Sequence, residues 1–284
     1  MKGPTKLGII IVGAAWMLGT GCVRYNDRCK VFVEDPEGTA GYIGGEDVYL
    51  DKPNARAANN AVGQMAADAL LHTGYPDATP PVFAAYNGGG VRAEGLCYTH
   101  NILPAGSKVS DELLHEIFLF DDQALSVDVT GQELFDLMVA SAKGLVETGP
   151  ISDPDGNFLQ IAGGEVAIDC AKPTGARITR FLIGADDLLL NANRAKTYRF
   201  ATINFLLQKD GALTPALEGA DVDVARKPTQ ASRASATDTI ELYMKANYGS
   251  PAHGLALDRT YGPSRTEPRI QITNCAQPTR PRSI

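Results

Sequence analysis

Asn87-Gly88-Gly89-Gly90-Val91-Arg92 is the stretch on which the reading of this chain turns. The apolar run before it, Pro81-Val82-Phe83-Ala84-Ala85-Tyr86, has the length and composition of a buried strand. Consecutive glycines after a strand strip the bend of Cβ atoms. Such a loop reaches positive φ and lets another group come close to its N–H donors. Asn87 and Arg92 flank the bend with an amide and a fixed cation, a pairing suited to a planar or anionic ligand. Alone, the stretch is more commonly a glycine-rich turn with a solvated arginine, so its neighbours have to decide.

Outward from the bend, periodicity predicts a helix over 57–72, with Val62, Met65, Ala66, Ala69 and Leu70 at helical spacing and Gly74 as the stop. Ser110 opens a short capped helix. Residues 124–129 alternate as a half-buried strand does, and Thr130-Gly131-Gln132-Glu133 is a capping box that starts a helix reaching about Ala142. Strands are then expected over 158–162, 165–170, 177–183 and 196–207, the last long enough to cross a whole sheet. The small polar residues 220–235 read as a surface loop, 237–248 as a final helix and 269–273 as a closing strand. Helices mixed with a strand-rich middle imply an α+β domain.

The order of several motifs resembles the C-terminal domain of the 5′-nucleotidase family, from about Ala55 to about Gly211. Asn59-Asn60-Ala61-Val62-Gly63-Gln64-Met65-Ala66-Ala67-Asp68-Ala69-Leu70 is similar to that family's helix with Asn, Gly and Ala-Asp-Ala. The glycine bend resembles its Asn-Gly-Gly-Gly-Ile-Arg loop. Phe118-Leu119-Phe120-Asp121-Asp122 followed by Val129-Thr130-Gly131 resembles its Pro-Phe-Gly-Asn and Leu-Thr-Gly segments. Phe158-Leu159-Gln160-Ile161-Ala162-Gly163 and Lys196-Thr197-Tyr198-Arg199-Phe200-Ala201-Thr202-Ile203-Asn204-Phe205 resemble two of its strands. The resemblance implies a four-layer α/β/β/α arrangement that holds a nucleoside between two aromatic rings.

Carried over position by position, the rings are Phe120 and Phe205. Arg92 faces the phosphate, with Arg56 in a similar use. Asn87 contacts base or ribose beside Gly89 and Gly90, and Asp210 accepts bonds from the ribose hydroxyls. Three departures stand out. Asp122 replaces an asparagine and adds negative charge near a phosphate-seeking site, Leu119 replaces a proline, and Gln208-Lys209-Asp210-Gly211-Ala212 replaces Gly-Gly-Asp-Gly-Tyr. The family joins this domain to a metallophosphatase domain whose two metals clamp the attacking and leaving oxygens. Here His72, His100, His115 and His253 form no Asp-x-His, Gly-Asn-His or His-x-His pattern. The expectation is a substrate-binding domain with no catalytic residues, no metal and no cofactor of its own, working with a separate metallophosphatase chain. The alternative is a structural or interaction lipoprotein that keeps the fold and has lost the ligand.

The ends and the composition set the setting. Lys2 and Lys6, the apolar run 7–18 and Gly19-Thr20-Gly21-Cys22 make a secretory signal over 1–21, and Cys22 resembles a lipoprotein cleavage site. A tether over 22–41, a domain over 42–275 and a disordered tail over 276–284 are expected, in a periplasmic or cell-surface protein held to the membrane by lipid. The net charge of −7 in 284 residues argues against nucleic acid as a partner. Of the other cysteines, Cys29–Cys275 and Cys97–Cys170 are the favoured of three possible pairings.

Overall fold

A computed structural model describes residues 38–75, 79–92, 101–120, 122–151, 154, 156–207, 230–256 and 268–279. Its strands are β1 (Thr39–Tyr42), β2 (Val48–Tyr49), β3 (Phe83–Asn87), β4 (Ile102–Leu103), β5 (Lys108–Ser110), β6 (Gln123–Thr130), β7 (Leu159–Ala162), β8 (Gly164–Asp169), β9 (Ile178–Ile183), β10 (Asp186–Asp187), β11 (Thr197–Ile203), β12 (Gln230–Ser235) and β13 (Ile270–Thr273). Its helices are α1 (Lys52–Arg56), α2 (Ala61–His72), α3 (Asp111–Ile117), α4 (Gly131–Ala142), α5 (Asn191–Arg194), α6 (Asn204–Leu207) and α7 (Ala236–Tyr248).

Two mixed sheets carry the fold, as expected of an α+β sandwich. One has the order β12-β6-β11-β3-β7 and the other β10-β9-β8-β13. They meet through packed rings. Phe83 of β3 lies 5.9 Å from Phe200 in its own sheet and 5.4 Å from Phe181 in the other. All three rings are buried, and each contributes about 1.5–3 kcal/mol by leaving water. Helix α2 lies on β3 and β7 and packs against α7, while α4 sits against β9 on the other side. The chain passes from one sheet to the other at Gly163. Its φ is +77°, and a Cβ there would stand 2.2 Å from the Val82 carbonyl oxygen, so glycine is required.

Local chemistry explains most element boundaries. The capping box forms as expected: the Thr130 N–H donates to Glu133 Oε2, and the Glu133 N–H donates to Thr130 Oγ1 at 3.2 Å. Ser110 Oγ accepts from the Leu113 N–H and starts α3.

Three element boundaries depart from the sequence reading. The helix expected over 57–72 starts later, at Ala61, because Asn60 Oδ1 accepts from the N–H groups of Val62 and Gly63 and caps α2 there. The long strand expected to 207 stops at Ile203. Asn204 Oδ1 accepts the Gln123 N–H at 2.6 Å, which turns the chain into α6. The expected loop over 220–235 contains β12, which runs antiparallel to β6 at the edge of the sheet.

The cysteines also pair differently. Cys170 bonds Cys275, with Cα atoms 5.0 Å apart, because β13 runs parallel to β8 in a register that sets Thr273 beside Asp169. That overturns both favoured pairings. Cys29 and Cys97 lie outside the described residues, as do Cys22 and the expected export signal.

Candidate ligand-binding cleft

Sheet topology gathers four strand ends at one edge. The parallel register of Phe200 with Phe83 sends β11 and β3 out on the same side. Antiparallel β6 therefore begins there, with Ala124 opposite Ile203, and β7 begins there, with Leu159 opposite Asn87. The segments hanging from these ends enclose a cleft of about 380 Å³.

The glycine bend forms its floor. Gly88–Gly90 makes one 3-10 turn, and none of the three has positive φ, contrary to the expectation for this loop. Close approach is what demands glycine: a Cβ on Gly88 would lie 2.2 Å from the Ala55 carbonyl oxygen, and one on Gly90 would lie 2.7 Å from the Tyr86 ring. The bend also keeps two of its donors for itself, since the Gly88 N–H bonds Phe158 O at 2.7 Å and the Gly89 N–H bonds Gly156 O at 3.0 Å.

Arg56 ends α1 and lines the cleft, its Nη1 donating to the Pro154 carbonyl at 3.3 Å. Gln160 holds this segment, its Nε2 donating to the carbonyls of Ala58 (2.8 Å) and Ala55 (3.4 Å). Arg92 is fixed through its N–H to Ile117 O, and its guanidinium lies 5.0 Å from the centre of the Phe120 ring. Phe120 is 46% exposed at the cleft mouth. Its segment hangs from α7, where Thr237 Oγ1 donates to Phe118 O at 3.0 Å and the Ala236 N–H donates to Asp122 O at 2.7 Å. Phe205, 36% exposed, borders the same cleft from α6.

Two buried acceptors lie deeper. Asn87 donates through Nδ2 to Gly156 O at 3.4 Å, whereas its buried Oδ1 has no hydrogen-bond partner among the described residues. Asp122 is also buried in the cleft lining. Tyr86 stays a neutral phenol: burial raises its pKa strongly, the Asp122 carboxylate adds to that, and Arg92 opposes it.

Every expected ligand residue within the described chain therefore meets in one cleft: Arg56, Asn87, Gly89, Gly90, Arg92, Phe120 and Phe205. Asp210 lies outside the described residues. Sequence reasoning missed Gly156 and Asn157 as lining, and took Asp122 as a departure rather than a site residue. The available signal for the first two was the turn pair just before Phe158. Asp68, inside a quoted motif, is not in the cleft; it makes a two-pronged pair with Arg269 at 2.8 Å on both oxygens.

Exposed rings, guanidiniums and buried acceptors thus share one cleft at the edge of an α+β sandwich. The chain belongs to the family described as 5′-nucleotidase, C-terminal domain, which it matches over residues 40–218. Its fold is similar to that of a 5′-nucleotidase precursor from Thermus thermophilus (TM-score 0.58, 19% identity, 89% of this chain and 42% of that one). It is also similar to a putative 5′-nucleotidase from Staphylococcus aureus, in complex with alpha-ketoglutarate (TM-score 0.59, 11% identity, 93% and 46%). A third is the NAD nucleotidase of Haemophilus influenzae (TM-score 0.57, 13% identity, 89% and 40%). The chain spans less than half the length of each of these structures. Comparison with curated proteins gave no match.

The cleft does not suit a pair of catalytic metals, since its charged lining is two guanidiniums and one carboxylate. Among the described residues, no group of three or more His, Cys, Asp or Glu side chains could hold a metal ion. His72 stacks on Tyr243 and His115 bonds Glu241, both away from the cleft.

Proposed function

We propose that the cleft binds a nucleoside or nucleotide, with the base against Phe120 and Phe205 and the phosphate toward Arg56 and Arg92. The observation that carries this reading is the convergence of both exposed rings and both arginines on one open cleft. Both rings are partly exposed to the cleft, and a base stacked on such a face gains about 1–3 kcal/mol per ring. The cleft volume falls in the range of small-molecule sites. Cleavage of a bound nucleotide is then the task of metals held outside this cleft, on a metallophosphatase unit. An exported protein carrying lipid on Cys22 would place the site where nucleotides outside the cytoplasm are salvaged.

Calorimetry of the full chain with AMP and adenosine tests the binding. Micromolar heat that disappears in Phe120→Ala and in Phe205→Ala is the expected result. No heat with either ligand sinks the reading and favours a scaffold that has kept the fold alone. Hydrolysis of AMP by the purified chain with Mn²⁺ or Zn²⁺, surviving contaminant controls, refutes the division of labour. Fatty-acid labelling that persists in Cys22→Ser refutes the anchor.

A further inference from the structure

The cleft has an ordered depth. Phe120 and Phe205 stand exposed at its mouth, while Asn87 and Asp122 are only 5% and 9% exposed. A flat ligand sliding between or against the rings presents its far edge to those two side chains. Both offer oxygen. Asn87 Oδ1 has no partner among the described residues, and its amide nitrogen is turned toward Gly156 O. Asp122 is a carboxylate whose charge bears on the Tyr86 phenol. An ionised carboxylate only accepts hydrogen bonds and has about four lone-pair positions, so a partner inside the protein still leaves capacity for a ligand. The deep end of the cleft is therefore an acceptor surface. An exocyclic amino group brings two N–H donors, enough for both oxygens, whereas the matching edge of an oxo base brings one ring N–H and sets a carbonyl oxygen against the second acceptor.

We propose that Asp122, together with Asn87, makes this cleft select ligands whose inserted edge carries an amino group: amino-bearing nucleobases rather than their oxo counterparts. The inference rests on the nucleoside reading above and names the substrate class of that same site. Stacking on the two phenylalanines does not distinguish such bases, because every base has a π-face. Discrimination comes from the deep acceptors, since a polar pocket rejects a ligand that leaves its buried groups unpaired. Asp122 is the specificity-determining member. Asparagine at that position could turn its amide nitrogen toward an oxo group, and a carboxylate cannot.

Adenosine and inosine provide the test, because they share sugar and stacking and differ at one edge. Calorimetry of the unmodified full chain should give adenosine an affinity about tenfold or more above inosine. In Asp122→Asn, checked for an unchanged thermal melt, the ratio should collapse to within about threefold or reverse. Equal affinities in the unmodified chain overturn the selectivity while leaving nucleoside binding intact. An undiminished ratio in the variant overturns the role of Asp122. No heat with either nucleoside overturns both this inference and the function it rests on.

Discussion

Gln160 and Asn87 are two buried amides on neighbouring strands, one register step apart, and they do opposite things. Gln160 is fully buried and engaged at both ends: its Oε1 accepts the Asn60 N–H at 3.1 Å, and its Nε2 reaches the Ala55 and Ala58 carbonyls. Helix α2 comes so close that a Cβ on Gly63 would lie 2.5 Å from Gln160 Cγ. Nearby, Asp68 and Arg269 pair with both prongs. Asn87, at the end of β3, leaves its Oδ1 without a partner among the described residues, beside an open cleft. Burial is common to both regions, so burial does not mark the site. What separates the pair is that Gln160 spends its amide inside the frame, whereas Asn87 lines the cleft with a buried oxygen that no described residue engages.

The contrast breaks first, and hardest, at the frame. Arg269→Met leaves the Asp68 carboxylate buried without its partner and should cost about 3–5 kcal/mol of unfolding free energy, read from the urea midpoint. Nucleoside affinity per folded molecule should not change. A loss below about 1 kcal/mol would show that this pair is ordinary surface chemistry.

Phe205→Ala should do the reverse. Affinity falls by about 1–3 kcal/mol, while the urea midpoint moves by no more than about 0.5 kcal/mol, because the ring is already partly in water. A large drop in stability would return Phe205 to the core.

Thr237→Val sharpens the comparison where the two regions touch. It deprives the Phe118 carbonyl of its donor, costing about 1 kcal/mol in stability. It should also weaken nucleoside binding, through a displaced Phe120, without touching the ligand. Thr237→Ser, which keeps the hydroxyl, should restore binding; equal affinity in all three proteins would disconnect α7 from the cleft.

The smallest effect is in acid. Burial pushes the Glu241 carboxyl up, but hydrogen bonds from Lys245 and His115 outweigh it and hold the group below its ordinary value. A carboxylate depressed in the folded state adds stability above its unfolded pKa of about 4.3 and loses it as pH falls through the lower folded value. The melting advantage of the unmodified chain over Glu241→Gln should therefore be present at about pH 6 and shrink below about pH 4. It should stay under about 1 kcal/mol, because the cluster is solvent-facing.

Much of the molecule was legible before any coordinates. The Thr130 capping box, the Ser110 cap and the strand before the glycine bend are local, and local chemistry shows in the letters. The cleft residues were found because a family resemblance aligned them; no periodicity joins Phe120 to Phe205. What escaped depends on distant partners. The Cys170–Cys275 bond follows from a parallel register across 105 residues. The end of β11 follows from Asn204 reaching Gln123, 81 positions away in the chain. Of the two uses the letters offer for the glycine bend, positive φ and close approach, the structure uses the second, and only the neighbouring Ala55 and Tyr86 reveal what approaches. Asp68 and Gln160 sat in recognised motifs yet belong to the frame, because a motif records a required side chain without saying what it touches.

The crossing at Gly163 has a mechanical consequence. A single residue separates β7 of one sheet from β8 of the other, with no slack to let the layers slide. Shear between them would load one short peptide joint. The two layers are thus pinned together at the end of β7 opposite the cleft.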